Sequence, residues 1–287
     1  MNRLFEKIVK KRGLSEEFLN PKYLSDEQVF AKMPDIKKAA ARILKAIENK
    51  EKIMVYGDYD VDGVTATTVM VDALTLAGAS EVITMLPDRF IDGYGMSARC
   101  VDKAVSECVS LVVTVDCGSN NSEVISELKK AKIDTIVTDH HEIMAEVPKD
   151  AVAVVNPKRL DISKKAVSEI KKVGLNDLAG VGVAFMVALA LKDAGKIPEG
   201  QEKWLLDLVL IGTLCDSMTL SKTNRELTYF GMKVLEKTRR LGLIELMKVA
   251  KTSRISAEAI GFQIGPRLNA GGRMESAEIS LRLLMTD

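Results

Sequence analysis

Histidine is scarce in this chain of 287 residues: there are two, His140 and His141, side by side. Cysteine is nearly as rare. The four present, Cys100, Cys108, Cys117 and Cys215, form no CxxC pair or other zinc-binding spacing and are too sparse for a disulfide framework. A reducing, cytoplasmic setting is therefore expected. Charge of one sign is not in excess either: Lys+Arg 41 against Asp+Glu 40 leaves +1, so any contact with DNA or RNA must come from a local patch. Aromatic residues make up only 5%, which leaves few platforms for stacking bases. No run of about 18 apolar residues occurs, and the opening MNRLFEKIVKKRGL breaks its apolar residues with charges. Neither a signal peptide nor a membrane span is expected. The hydrophobic content of 47% excludes wholesale disorder and suffices for one large or two modest domains.

The texture changes along the chain. Residues 1–50 read as a helical segment, with Ile36, Ala40, Ile43 and Ile47 at helical spacing. From Lys52, short β-rich runs (IMVYG, VITML, LVVTVD, DTIVTD, AVAVV) alternate with helical ones, the pattern of βαβ units. The expected fold is a Rossmann-like, doubly wound, mainly parallel α/β sheet over residues 51–220. Lys158 to Lys172 reads as a solvated loop or linker helix, and the chain turns helical again from Asp177. Residues 221–287 read as a helical connector that ends inside a helical pattern.

Chemistry gathers where the strands end. In open α/β sheets ligands bind outside the carboxyl ends of the strands. IMVYG runs into Asp58, Asp60 and Asp62; LVVTV into Asp116; DTIVT into Asp139, His140 and His141. If the chain stayed extended through GDYDVD, the first three carboxylates would share a face about 6.5–7 Å apart and repel by roughly 2–3 kcal/mol per neighbouring pair. Such a site needs a cation, or a bend. An Asp-Gly turn is the plainer alternative. An EF-hand fails, because the required Glu position holds Val69. Asp216, after the nearly all-apolar WLLDLVLIGTLC, is a further candidate ligand, unless it is a helix-terminal residue facing water. Cys117 and Cys215 read as core thiols. Carboxylates with one or two imidazoles suit Mn²⁺, with Mg²⁺ as the alternative, and so many carboxylates suggest two ions acting on a phosphoester or phosphoanhydride.

GDYDVDGVTAT, TVDCG, TDHHE followed by NP, GTLCDSM and GPRLNAGGRM, in that order, resemble the DHH phosphoesterase superfamily, and within it the RecJ type of single-strand-specific 5′-to-3′ DNA exonucleases. The resemblance implies that Asp58, Asp60, Asp62, Asp116, His140 and Asp216 hold the metal ions, with Asp60 and Asp116 in the catalytic set. It also implies that His141 faces the scissile phosphate. Arg267, Asn269 and Arg273 would contact the DNA backbone or its 5′ phosphate, the alternative being a Gly/Pro-rich joint with solvated arginines. Arg89 and Tyr94 would line the approach of the strand, the alternative being a structural turn. Implied partners are single-stranded DNA, engaged at its 5′ end, and a helicase or single-strand-binding protein; a DHHA1 domain and an oligonucleotide-binding domain would follow residue 287. Asp92 stands where the type usually has Glu, Cys215 where Ala is common before the fourth-motif Asp, and Gly271 where Ala is frequent. A DHH phosphatase for pyrophosphate, cyclic dinucleotides or short oligonucleotides is a competing reading, but that branch carries a His where this chain has Tyr56. A non-catalytic replication scaffold of the same fold should lack several ligands, whereas all are present here.

Overall fold

The computed structural model describes residues 3–89, 91–93, 95–274 and 276–286. Five strands, β1 (Ile53–Tyr56), β2 (Val82–Met85), β3 (Leu111–Val115), β4 (Asp134–Thr138) and β5 (Ala153–Val155), form one sheet in the order β2-β1-β3-β4-β5, with every pairing parallel. All five coincide with the β-rich runs of the sequence. Parallel strands need crossover helices on both faces, which is why the strands are mostly apolar rather than alternating. Alternate residues divide between the two faces. Ile53, Val55, Leu111, Val113 and Ile136 join the larger core, while Met54, Tyr56, Val112, Val137 and Val154 join the smaller one.

Helices Ala98–Ser106 and Ser122–Lys130 supply Cys100, Ala104, Ile125 and Leu128 to the smaller core. The larger core receives the helices Ile36–Glu48, Val61–Leu76, Gly180–Asp193 and Leu206–Cys215. Gly180–Asp193 and Leu206–Cys215 are apolar nearly all round because they are buried, the first between the sheet and neighbouring helices and the second among helices. This larger core also includes Leu24 and Ile43 from the N-terminal segment and Leu227, Ile264 and Leu281 from the later helices. No helix among the described residues is long and apolar enough to cross a membrane.

The strand order reverses at β1, whose neighbours are β2 on one side and β3 on the other. A crevice at the carboxyl ends of β1 and β3 is the place where such sheets bind ligands. Both strands end in the acidic stretches singled out above.

Candidate metal centre

β1 stops at Tyr56, and Asp60 caps the helix Val61–Leu76, its carboxylate accepting a hydrogen bond from the Gly63 N–H at 3.0 Å. The GDYDVD segment therefore does not stay extended. A strand-to-helix turn gathers its three carboxylates: Asp58 sits in the turn, Asp60 at the cap and Asp62 in the first helical turn. This replaces the alternating-face geometry expected of an extended chain, and it still directs the three side chains into one crevice.

Asp62 is anchored from a distance. Its Oδ2 accepts the Gly180 N–H at 2.6 Å and its Oδ1 the Val181 N–H at 2.9 Å, so it caps the helix Gly180–Asp193. Asp116, after β3, has φ +61°, a left-handed conformation that Asp tolerates better than most residues. Its N–H donates to the Thr138 carbonyl at 3.0 Å, and the Thr138 hydroxyl donates to the Thr114 carbonyl at 2.7 Å, tying the ends of β3 and β4 together. Gly180 closes the crevice: a Cβ there would lie 2.4 Å from Asp116 Oδ1.

After β4, Asp139 organises both histidines. It is buried and accepts from the backbone N–H groups of Ser119, His140 and His141 and pairs with His141 Nδ1 at 2.8 Å. Asn156, also buried, donates to the His141 carbonyl at 2.9 Å and to Ser119 Oγ at 2.8 Å. Asp216, at the end of helix Leu206–Cys215, is half-buried, with Oδ2 3.7 Å from His140 Nε2. It faces the crevice instead of being a helix end turned only to water.

Three donor triplets result, each with ligand atoms within 4.8 Å of one another: Asp58, Asp60 and Asp116; Asp116, His140 and His141; Asp62, His140 and Asp216. Every motif Asp and both histidines of the sequence reading are thus brought together. The electrostatics fit a cation. Burial, with Asp60 beside it, pushes Asp58 up to about 7. Burial and Asp60 push Asp216 up to about 6. Asp62 and Asp116 are raised by burial and by the carboxylates around them. Burial and the neighbouring His141 lower His140 to about 4, leaving a neutral ring whose lone pair can ligate. The buried Asp116 Oδ1 accepts no hydrogen bond and lies 3.2 Å from His140 Nε2, so two potential ligand atoms stand side by side. A hard divalent cation suits this oxygen-rich set with its imidazoles.

Burial alone would raise Asp139, but its His141 partner and the backbone N–H groups hold it at about 2. His141 is in turn raised, burial being outweighed by the Asp139 carboxylate.

A cavity of about 670 Å³ opens from Asp60, Asp62 and Asp216 toward Phe262, Asn269 and Arg273. Arg267 does not line it: exposed, it donates to the carbonyl of Gln263, in the turn just before its own helix, at 2.8 Å. GPRLNAGGRM is itself the helix Gly265–Met274, not a joint, and its Gly-Gly serves internal packing, a Cβ at Gly271 meeting Ser280 Oγ at 2.7 Å and at Gly272 the Tyr59 carbonyl at 2.7 Å. Arg89 is exposed, 5.4 Å from the ring centroid of Tyr59, which follows Asp58. Tyr94 lies outside the described residues. Cys117 belongs to the core as expected, whereas Cys215 lines the cavity, partly buried, its thiol pushed up to about 12 by burial. Tyr56 is buried among the residues of the smaller core, its hydroxyl donating to the Gly95 carbonyl at 3.0 Å. The site residues overlooked by sequence reasoning are Asn156 and Gly180; the NP pair marked the first, and no local signal marked the second.

A family model described as the DHH family, N-terminal domain, matches residues 52–213. The single-stranded-DNA-specific exonuclease RecJ of Bacillus subtilis is 41% identical over 89% of this chain and 30% of its own length. Among solved structures, RecJ from Thermus thermophilus in complex with Mn²⁺ has a TM-score of 0.77 and 30% identity over 97% of this chain and 38% of that one. Its Mg²⁺ complex has a TM-score of 0.66 and 28% identity over 97% and 35%. The chain thus spans well under half the length of these relatives.

Proposed function

The chain belongs to the DHH family, and from that premise we propose that it is a divalent-metal-dependent nuclease hydrolysing phosphodiester bonds of single-stranded DNA from the 5′ end. The observation that carries the reading is the sharing of donors: Asp116 belongs to two triplets and His140 to two, so the donors form one connected set. We assign Asp58, Asp60, Asp62, Asp116, His140 and Asp216 to holding two ions, Mn²⁺ first and Mg²⁺ as the alternative, in keeping with the ions bound by the Thermus thermophilus relative. Such ions, when bound, would neutralise phosphate oxygens and acidify an attacking water.

The chain's own residues supply the rest. His141, whose proton is held more tightly through Asp139 at 2.8 Å, is assigned to donate to a phosphoryl or leaving-group oxygen. Asn269 and Arg273, in the cavity wall beside the acidic cluster, are assigned to the DNA backbone or its 5′ phosphate, with Arg267 and Arg89 further out on the path of the strand. Residues 51–220 would form the catalytic unit, flanked by helical segments. Four free cysteines agree with a reducing cytoplasm, where DNA repair and recombination would take place.

The test is nucleotide release from 5′-phosphorylated single-stranded DNA by protein stripped with chelator and resupplied with Mn²⁺ or Mg²⁺, with duplex DNA and pyrophosphate in parallel. Mononucleotides released only from the single strand, and only with metal, are expected. Hydrolysis of pyrophosphate with intact DNA would transfer the chain to the small-substrate branch. No cleavage of either would favour a scaffold role.

A further inference from the structure

The backbone that anchors Asp62 and the backbone that carries Asp216 come from different parts of the chain, yet one side chain joins them. Asn224, in the first turn of the helix Lys222–Leu235, is fully buried. Its Nδ2 donates to two carbonyls, that of Asp177 and, at 3.1 Å, that of Thr219. Asp177 ends the 3₁₀ turn Leu175–Asp177, three residues before Gly180, whose N–H holds Asp62. Leu178, between the two, turns its backbone toward the His140 ring. Thr219 lies three residues beyond Asp216, in the loop that follows the helix Leu206–Cys215. One amide therefore fastens together the two backbone segments that flank the triplet Asp62, His140 and Asp216.

The rest of that helical turn points elsewhere. Lys222 Nζ donates to the Lys171 carbonyl and the Thr223 hydroxyl to the Val173 carbonyl, each at 2.7 Å, and both acceptors belong to the helix Lys164–Val173, which carries no candidate ligand. The loop held by Asn224 is also bent at both ends. Ser217 has φ +58° and Lys222 φ +48°, left-handed conformations that such residues keep only where surrounding contacts over-determine them. Asn224 Oδ1, meanwhile, is buried with no hydrogen-bond partner. An unmade bond of that kind costs free energy, which a side chain kept only for stability has no reason to carry. What the amide supplies is a fixed separation of two carbonyls, and hence of the two segments that bear them.

We propose that Asn224 is a positioning residue for the metal centre: by holding Asp177 and Thr219 together it sets the spacing of Asp62, His140 and Asp216, and so the affinity of the ion these three hold. It touches neither ion nor substrate. The triplet Asp58, Asp60 and Asp116 hangs instead on the turns after β1 and β3. The inference rests on the two-ion assignment above and says which of the two ions depends on the loop after Asp216.

The experiment titrates the chelator-stripped chain with Mn²⁺ by calorimetry and follows the thermal melt of each variant. The parent should take up two ions. In Asn224→Ala one of them should bind about tenfold or more weakly, the usual loss when a residue that orients a ligand is removed, while the other stays within about twofold. Thr223→Val is the control. It deletes a bond of the same helical turn that leads to no ligand, so it should lower the melting temperature and leave both affinities unchanged. If the alanine variant does not melt cooperatively, Asn224→Ser, which keeps one donor, takes its place. Unchanged affinities in the Asn224 variant, the same loss at both ions, or an equal loss in Thr223→Val would overturn the proposal and leave Asn224 a structural fastening. A parent that binds two ions retains the two-ion assignment whichever way the variants fall, whereas a parent that binds fewer overturns both.

Discussion

Asp116 is placed by residues remote from it in sequence, and Gly180 is the least replaceable of them. An alanine there would put its Cβ 2.4 Å from Asp116 Oδ1 and 2.5 Å from Asp116 Cβ, forcing apart the turn after β3 and the start of the Gly180–Asp193 helix. Overpacking of this kind costs about 1–3 kcal/mol. The larger effect should fall on catalysis, since a displacement near 1 Å at a reacting centre can cost about a hundredfold. Gly180→Ala is therefore expected to lower nucleotide release by about two orders of magnitude while the protein still melts cooperatively; a rate within twofold of the parent would mean that the helix start yields freely. Asp139→Asn tests the other side of the crevice. The variant keeps an acceptor for the backbone N–H groups but removes the charge that raises His141, so the pH dependence assigned to His141 should move to lower pH. An unchanged pH–rate profile would remove His141 from the rate-determining chemistry. The six candidate ligands were legible because each is a polar group at, or shortly after, the end of an apolar strand or helix. Gly180 and the capping role of Asp62 were not, because they exist only through a contact between residues 118 positions apart.

Among elements, sequence texture identified all five strands, since buried parallel strands are short, apolar and β-branched whatever they pack against. It did not separate a glycine-rich helix from a joint. Gly265, Gly271 and Gly272 lower intrinsic helix propensity, and only the packing against Ser280 and the Tyr59 carbonyl makes their missing side chains an advantage. Nor did it reveal how the helices bearing Asp62 and leading to Asp216 are fastened at their far ends. Arg240 donates to Asp72 of the first at 2.6 Å and to Asp207 of the second at 3.4 Å, and Asp207, buried, also accepts the Thr238 hydroxyl at 2.7 Å. Removing one partner of a buried pair leaves the other charge uncompensated. Arg240→Ala should cost roughly 3 kcal/mol in urea unfolding, at the lower end for such a deletion because Asp72 retains some water. Arg240→Met combined with Asp207→Asn removes the orphaned charge, and this double variant should be more stable than Arg240→Ala. The reverse order would show that Arg240 contributes by packing rather than by charge.

For the whole molecule, the acidic crevice ties folding to pH and to metal. With no cation bound, Asp58 titrates near 7 and Asp216 near 6 in the folded chain, against about 3.9 for an unfolded Asp. Between these values the folded state holds more protons than the unfolded one, so stability falls as pH rises. The metal-free protein should accordingly melt at a higher temperature at pH 5 than at pH 8. His140, lowered to about 4 against about 6.5 when unfolded, opposes this trend between those values, because there the unfolded chain holds the extra proton. Asp62 and Asp116, also raised, add to the fall. Asp139, held at about 2, opposes it only at lower pH, losing its stabilisation as pH falls through about 2. A divalent cation reverses the slope, because its ligands must be deprotonated and its affinity therefore grows with pH. Thermal melts with chelator and with Mn²⁺ at pH 5, 6, 7 and 8 should show a stabilisation by Mn²⁺ that is largest at pH 8. Calorimetry at pH 6 in buffers of different ionisation enthalpy should show proton release on binding. If the melting temperatures with and without Mn²⁺ rise in parallel from pH 5 to pH 8, with no protons released, the raised carboxylates are not the ligands. The metal would then have to be sought outside the crevice formed by Asp58, Asp116 and His140.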